Sequence, residues 1–337
     1  MVDNLLEVNG LTIDYELSGK SFRALDAISF NLERGCVLGV AGESGCGKST
    51  LGLSVIGLLP GKAKIRKGEI LFEGRNLVEM KDDQMNREIR GRKISMIFQS
   101  PQTALNPVFK IETQMVDVLR NMARYQGENV KNDNVHCRER AIDLLRETGI
   151  ADPAERISNY PFEFSGGMKQ RVMIAMALSS KTSLLIADEP TTSLDVTIGA
   201  QIIVLLKELS IKHNTSILYI CHDLGILSEI ADHIMIMYGG RIFERGKTLD
   251  VLGAPRHPYT AALLESLPGR QVRGKHLLSI PGHVPSLDNL PPGCSFHPRC
   301  RFAEEICRRK VPPLVEASDR HWSACVLVER RGRQKWG

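Results

Sequence analysis

The sequence predicts an α/β protein with a large domain on a mostly parallel sheet, an inserted helical subdomain and a smaller irregular C-terminal region. Three observations predict it. Short apolar runs at 37–41, 94–98, 184–187, 217–221 and 234–237 have the form of buried strands, and helix-length amphipathic segments such as 198–212 alternate with them. Between 111 and 180 that rhythm breaks into three helical patterns, 111–124, 138–148 and 168–179, with no strand between them. After Arg256, Pro258, Pro268, Pro281, Pro285, Pro291, Pro292 and Pro298 interrupt any regular element.

Taken in order, residues 5–8 and 11–16 alternate apolar and polar side chains and predict two edge strands. The apolar run 37–41 ends in glycine and is followed by a helical pattern from Ser49. The helical stretch places an inserted subdomain at about 100–180. The proline-rich change sets a boundary near 255, so the expected domains are 1–255 and 256–337. No internal repeat is present.

With 337 residues, 42% hydrophobic and 25% charged, the chain can build a full core, which excludes a disordered class. No window approaches the ~20 consecutive apolar residues that a spanning helix needs. The N-terminal segment lacks a basic stretch followed by an apolar one, so no secretory signal is expected. Charge is uneven: residues 270–337 hold 13 Lys or Arg against 6 Asp or Glu, leaving residues 1–269 at net −2. That basic tail suits an anionic membrane surface, acidic patches on partners or plain solvation. It does not suit nucleic acid, because no aromatic stacking array accompanies it.

Residues 42–49, GESGCGKS, match G-x-x-x-x-G-K-[ST] in its expected context, after a strand and before a helix. Such a loop curls its backbone N–H groups round phosphates. The candidate nucleotide contacts are Gly42, Glu43, Ser44, Gly45, Cys46, Gly47, Lys48, Ser49 and Thr50. Lys48 supplies charge to the β and γ phosphates and Ser49 a hydroxyl to Mg²⁺. Further on, the apolar run 184–187 delivers Asp188 and Glu189 to the end of a buried strand. Asp188 is suited to Mg²⁺, and Glu189 to polarising the water that attacks a γ-phosphate.

With these motifs and residues 164–170, FSGGMKQ, the chain from about 5 to 255 resembles the ATP-binding subunits of ABC transporters. Phe164 and Met168 depart from the LSGGQ signature but leave Ser165, Gly166 and Gly167 intact. The resemblance implies a P-loop ABC ATPase domain, a RecA-like core with an antiparallel edge sheet and the helical subdomain. It also implies roles for single residues. Tyr15 resembles the aromatic that stacks on adenine, and Gln99 the glutamine that senses Mg²⁺ and the attacking water. Asp195 resembles the loop crossing the dimer interface, and His222 the switch histidine at the γ-phosphate. One P-loop and one signature per chain imply a head-to-tail dimer in which each site uses the P-loop of one chain and the signature of the other.

Residues 254–268, 280–282 and 96–107 (MIFQSPQTALNP) narrow the resemblance to the dipeptide and oligopeptide importer ATPases. It implies an ATPase on the cytoplasmic face of the cell membrane, peripheral to two transmembrane permease subunits, with a second ATP-binding subunit and an extracytoplasmic solute-binding protein. Branches of the same architecture import nickel, oligosaccharides or glutathione. A soluble non-transport ABC ATPase is the alternative class, though such chains usually carry two cassettes or a long coiled-coil insertion.

Cys294, Cys300, Cys307 and Cys325 are spaced C-x5-C-x6-C-x17-C, unlike the C-x2-4-C knuckles of zinc sites and unlike ferredoxins. Spacing leaves a [4Fe–4S] cluster, Zn²⁺ and unligated thiols all open. The resemblance favours the cluster, which several peptide-importer ATPases carry in this region. Cys36, Cys46, Cys137 and Cys221 read as ordinary buried thiols.

Overall fold

The computed structural model describes residues 3–17, 19–100, 104–125, 134–180, 182–267 and 279–331. Residues 101–103 of the 96–107 run, Pro268 and the end of the basic tail from 332 lie outside the described residues. Among the described residues the strands are β1 (Asn4–Leu17), β2 (Lys20–Glu33), β3 (Val37–Ala41), β4 (Ala63–Phe72), β5 (Arg75–Asn76) and β6 (Ile94–Ile97). They continue with β7 (Leu184–Asp188), β8 (Ser216–Ile220), β9 (His233–Tyr238), β10 (Arg241–Lys247), β11 (Val315–Ser318) and β12 (His321–Ser323). The chain forms two compact units, one of Met1–Leu5, Glu33–Gly35 and Glu79–Leu218, the other of Leu6–Leu32, Cys36–Val78 and Tyr219–Gly337.

In the first unit β6 and β7 pair in parallel, from Ile94 opposite Leu184 to Ile97 opposite Ala187. All five residues of β7 are buried, as its unbroken apolar run predicts. The strand expected over 94–98 stops one residue early, because Phe98 is exposed and unpaired in the ladder. Three helices, Ile111–Tyr125, Asn134–Glu147 and Gly166–Ala177, form the expected helical insert. The second packs on both of the others, and Met115, Ala141, Leu144, Leu145, Val172 and Ile174 are buried. A longer helix, Val196–His213, packs on Gly166–Ala177 and ends at Asn214, which takes the left-handed conformation at φ 51° that stops a helix.

In the second unit β2-β1-β4-β5 form an antiparallel sheet. The two edge strands expected at 5–8 and 11–16 are one continuous strand. Register shifts between Asn9 and Ile13, with Gly10 at φ 60°, make a bulge that breaks the alternation without ending the strand. A second set of strands runs β11-β12-β10-β9-β3, with β3 fully buried and parallel to β9.

The tail is less irregular than its prolines predict. Glu244 of β10 pairs with Ser323 of β12, so residues 315–323 extend the sheet, and Cys294, Phe296, Ala324, Val326, Leu327 and Val328 are buried. Strands of four and three residues are too short for their periodicity to show in sequence. A buried Glu244 locks the join. It takes His321 Nε2 at 2.6 Å and the backbone N–H groups of Arg256 and His257 at 2.5 and 2.9 Å. Among the described residues no helix is long and apolar enough to cross a membrane.

Candidate nucleotide site

The phosphate loop lies in the second unit, between β3 and the helix Lys48–Val55. Gly47, at the helix N-cap, has φ 102°, and a Cβ there would fall 2.7 Å from the carbonyl oxygen of Ala24. Only glycine satisfies both constraints. Lys48 is buried, and its ammonium donates to the carbonyl oxygens of Gly42 at 2.7 Å and Glu43 at 3.1 Å. The loop is therefore wrapped round its lysine. Ser44, Gly45 and Ser49 are exposed on this turn, whereas Cys46 is buried and burial pushes its thiol up, as a packing residue requires.

Tyr15 stacks on Phe22 at 5.7 Å with 11° between the rings, and its hydroxyl is 3.4 Å from the hydroxyl of Thr50. An aromatic surface therefore borders the helix that leaves the phosphate loop. Phe22 was not expected there, because its strand has no clean alternation to reveal which side chains share a face. The backbone N–H of Cys221 donates to the carbonyl of Val40 at 3.1 Å, which sets exposed His222 beside the end of β3.

In the first unit the parallel register of β6 and β7 carries Gln99 and Glu189 to matching positions beyond their strands. Gln99 Nε2 donates to Glu189 Oε2 at 2.8 Å, and Thr192 Oγ1 donates to the same oxygen at 2.9 Å. Thr192 lacked any sequence signal. Glu189 sits at φ 47°, a left-handed conformation costing a glutamate about 1 kcal/mol or more, of the kind found where a side chain must be aimed. Asp188, one residue earlier, is buried at the end of β7. Asp188 and Gln99 carry hard oxygen donors of the kind that Mg²⁺ takes.

Ser165 caps the helix Gly166–Ala177, its Oγ accepting from the N–H of Met168 at 3.3 Å. Phe164 is buried beneath the turn, so the departure from leucine fills a packing slot and leaves exposed Ser165 and Gly166 free to present the helix N-terminus. A Cβ on Gly167 would approach Ile198 Cγ2 to 2.5 Å. Asp195 caps the neighbouring helix, its Oδ1 accepting from Ile198 N–H at 3.0 Å.

Cys294, Cys307 and Cys325 are buried and Cys300 half-buried, all as free thiols. Burial, with the other three thiols adding to it, pushes Cys294 up to about 12; burial likewise pushes Cys300 up to about 11. The four are close enough to influence one another and the Cys294 N–H donates to the Cys307 carbonyl at 2.8 Å. Their chemistry fits a thiolate-ligated centre, but their placement does not: among the described residues no group of three or more His, Cys, Asp or Glu stands in an arrangement that could hold a metal ion.

A phosphate loop behind a buried strand, a carboxylate aimed by strain and two hydrogen bonds, and a Ser-Gly-Gly helix start define an ATP-binding cassette. Residues 25–192 match the ABC transporter family, and residues 243–307 match the oligopeptide/dipeptide transporter C-terminal region. A probable peptide ABC transporter ATP-binding protein of Sinorhizobium fredii, y4tR, is 45% identical over 326 residues, covering 96% of this chain and 95% of that protein. The dipeptide transport ATP-binding protein DppD of Escherichia coli is 42% identical over 321 residues, covering 95% and 96%. The post-hydrolysis dimer of the ATP-binding cassette MJ0796 with ADP and Pi superposes with TM-score 0.63 at 26% identity, over 72% of this chain and 98% of that one. The chain belongs to the ABC transporter ATP-binding proteins, in the oligopeptide and dipeptide branch.

Proposed function

We propose that the chain is the ATP-hydrolysing subunit that powers an ABC importer of dipeptides or oligopeptides. Kinship over nearly the whole length with proteins named for peptide transport carries this reading. In it, the chain sits peripherally on the cytoplasmic face of the cell membrane. Its partners are a second, homologous ATP-binding subunit, two permease subunits and a solute-binding protein. Residues 1–255 form the cassette and 256–337 the extension.

Each residue has a role in this reading. Lys48 and the loop N–H groups hold the phosphates, and Ser49, Gln99 and Asp188 hold Mg²⁺, which supplies charge neutralisation at the transferred phosphoryl group when bound. Glu189 takes the proton of the attacking water, Gln99 orients that water, His222 contacts the γ-phosphate and Tyr15 stacks on adenine. Ser165, Gly166 and Gly167 cap the nucleotide of the partner subunit, and Asp195 lies at the interface with it. The test is uptake. The complex co-purified with its permeases and reconstituted in vesicles should import labelled dipeptide with ATP consumption. Import of Ni²⁺, an oligosaccharide or glutathione in its place would reassign the cargo, and no permease on co-purification would favour the soluble class.

The four tail cysteines are proposed to hold one [4Fe–4S] cluster. Support comes from the number and the burial of these thiols and from the sequence resemblance, and ligation would require them to turn toward a common centre, away from the arrangement described above. About four irons and four sulfides per chain are expected after anaerobic purification, lost in Cys300→Ser. Stoichiometric zinc without sulfide would replace the cluster by a structural zinc site.

A further inference from the structure

The phosphate loop carries one acidic residue, Glu43, at a turn that must receive a polyanion. Left unpaired, that carboxylate would oppose its ligand. Arg299, 256 residues later in the C-terminal extension, takes both carboxylate oxygens, Nη1 to Oε2 at 2.6 Å and Nη2 to Oε1 at 2.9 Å. The guanidinium is itself fixed, with Nε donating to the Pro281 carbonyl at 2.9 Å and Nη1 to the Tyr238 hydroxyl at 3.2 Å, and the residue is buried. The same extension also holds the backbone. Glu43 N–H donates to the hydroxyl of Tyr259 at 3.1 Å, and Tyr259 is fully buried, its ring against Tyr238 and Phe296 at 4.8 and 5.1 Å.

We propose that Arg299 and Tyr259 are positioning residues for ATP binding: the C-terminal extension neutralises the loop's own carboxylate and presets its backbone, so that it sets nucleotide affinity rather than the rate of hydrolysis. A bidentate arginine suits this task because its fork fixes the direction of the carboxylate as well as its charge. A backbone bond to a buried hydroxyl leaves the loop less freedom to lose when phosphate binds. The inference rests on residues 42–49 being the nucleotide site.

Steady-state ATPase of the assembled transporter against ATP concentration, with hydrogen exchange over residues 42–47 of the nucleotide-free complex, tests it. Arg299→Gln should raise the KM for ATP by about tenfold while kcat falls less than about threefold, the split expected when ground-state and transition-state binding are lost together. Exchange in the loop should quicken. Arg299→Lys, which restores charge without the fork, should give an intermediate KM. Tyr259→Phe keeps the buried ring and removes only the acceptor, so it decides the matter if Arg299→Gln does not fold: Glu43 amide exchange should accelerate and KM rise by about threefold. Wild-type KM in these variants, with a lower melting temperature alone, would make both residues mere braces of the tail. A fall in kcat at unchanged KM would also overturn the proposal. Lys48→Ala reads the underlying site separately: it should abolish ATP binding, and if it binds ATP as the wild type does, the clamp falls with the site it serves.

Discussion

Gln99 donates its side-chain amide to the carboxylate of Glu189 at 2.8 Å, joining the ends of two strands that the parallel register already aligns. That hydrogen bond fixes the direction of the carboxylate, which a general base must have settled before it meets a water. It also ties the proposed base to a glutamine on the neighbouring strand, so motion of that segment changes where the carboxylate points.

Glu189→Gln should retain ATP binding while hydrolysis falls by about two orders of magnitude or more, the scale of a lost catalytic base. Nucleotide affinity and turnover, measured on the assembled complex, should separate. Unchanged turnover would remove Glu189 from the role.

Ser165→Arg should block hydrolysis at the site completed by the partner. Ser165 is exposed at the start of its helix, and a bulky cation would occupy the space that a γ-phosphate needs there. In mixed dimers the defect should fall on the P-loop of the unmutated chain. Loss confined to the mutated chain's own P-loop would contradict the head-to-tail arrangement.

Gly167→Ala should destabilise the helical subdomain by about 1–3 kcal/mol despite alanine's better helix propensity, because the new methyl would overlap Ile198 Cγ2 at 2.5 Å. Thermal melts of the single variant and of Gly167→Ala/Ile198→Ala decide the cause. Truncating Ile198 removes the atom it meets, so the penalty of the Gly167 change should shrink in the double variant. An undiminished penalty would place the cost elsewhere.

Much of the candidate nucleotide site was legible because the placement of its residues follows from local pattern. The run 184–187 names its own burial, and the acids after it must emerge at a strand end. The loop 42–49 declares its glycines and its lysine together. What stayed hidden depends on contacts between distant parts of the chain. Nothing near Glu43 announces Arg299, since an arginine among prolines carries no periodicity and its partner lies in the first 50 residues. The tail misled for a related reason. Its prolines break regular elements, yet Phe296 packs on Tyr238 and Tyr259, and β12 needs only three residues to join β10. Burial there comes from residues that the rest of the unit supplies.

The tail's junction should also set an acid limit on stability. His257 is buried between Phe243, at 4.5 Å, and Phe296, at 6.2 Å, and its Nδ1 accepts the N–H of Tyr259 to cap the helix Pro258–Glu265. Burial pushes its pKa down to about 3, against a weaker opposing pull from the backbone of Ala324. The unfolded chain binds a proton on this residue below about 6.5, whereas the native state stays neutral until about 3, so stability is full above 6.5 and declines as pH falls through this window. The slope is at most ~1.4 kcal/mol per pH unit, or about 2 kcal/mol lost by pH 5. His257→Asn keeps a side-chain acceptor at the cap but cannot titrate. Its stability relative to wild type should therefore improve steadily from pH 7.5 to pH 5 in denaturant or thermal melts. Parallel curves across that range would show that His257 is already protonated in the native state or reaches solvent on the way to unfolding, and the cap would then have no part in acid sensitivity.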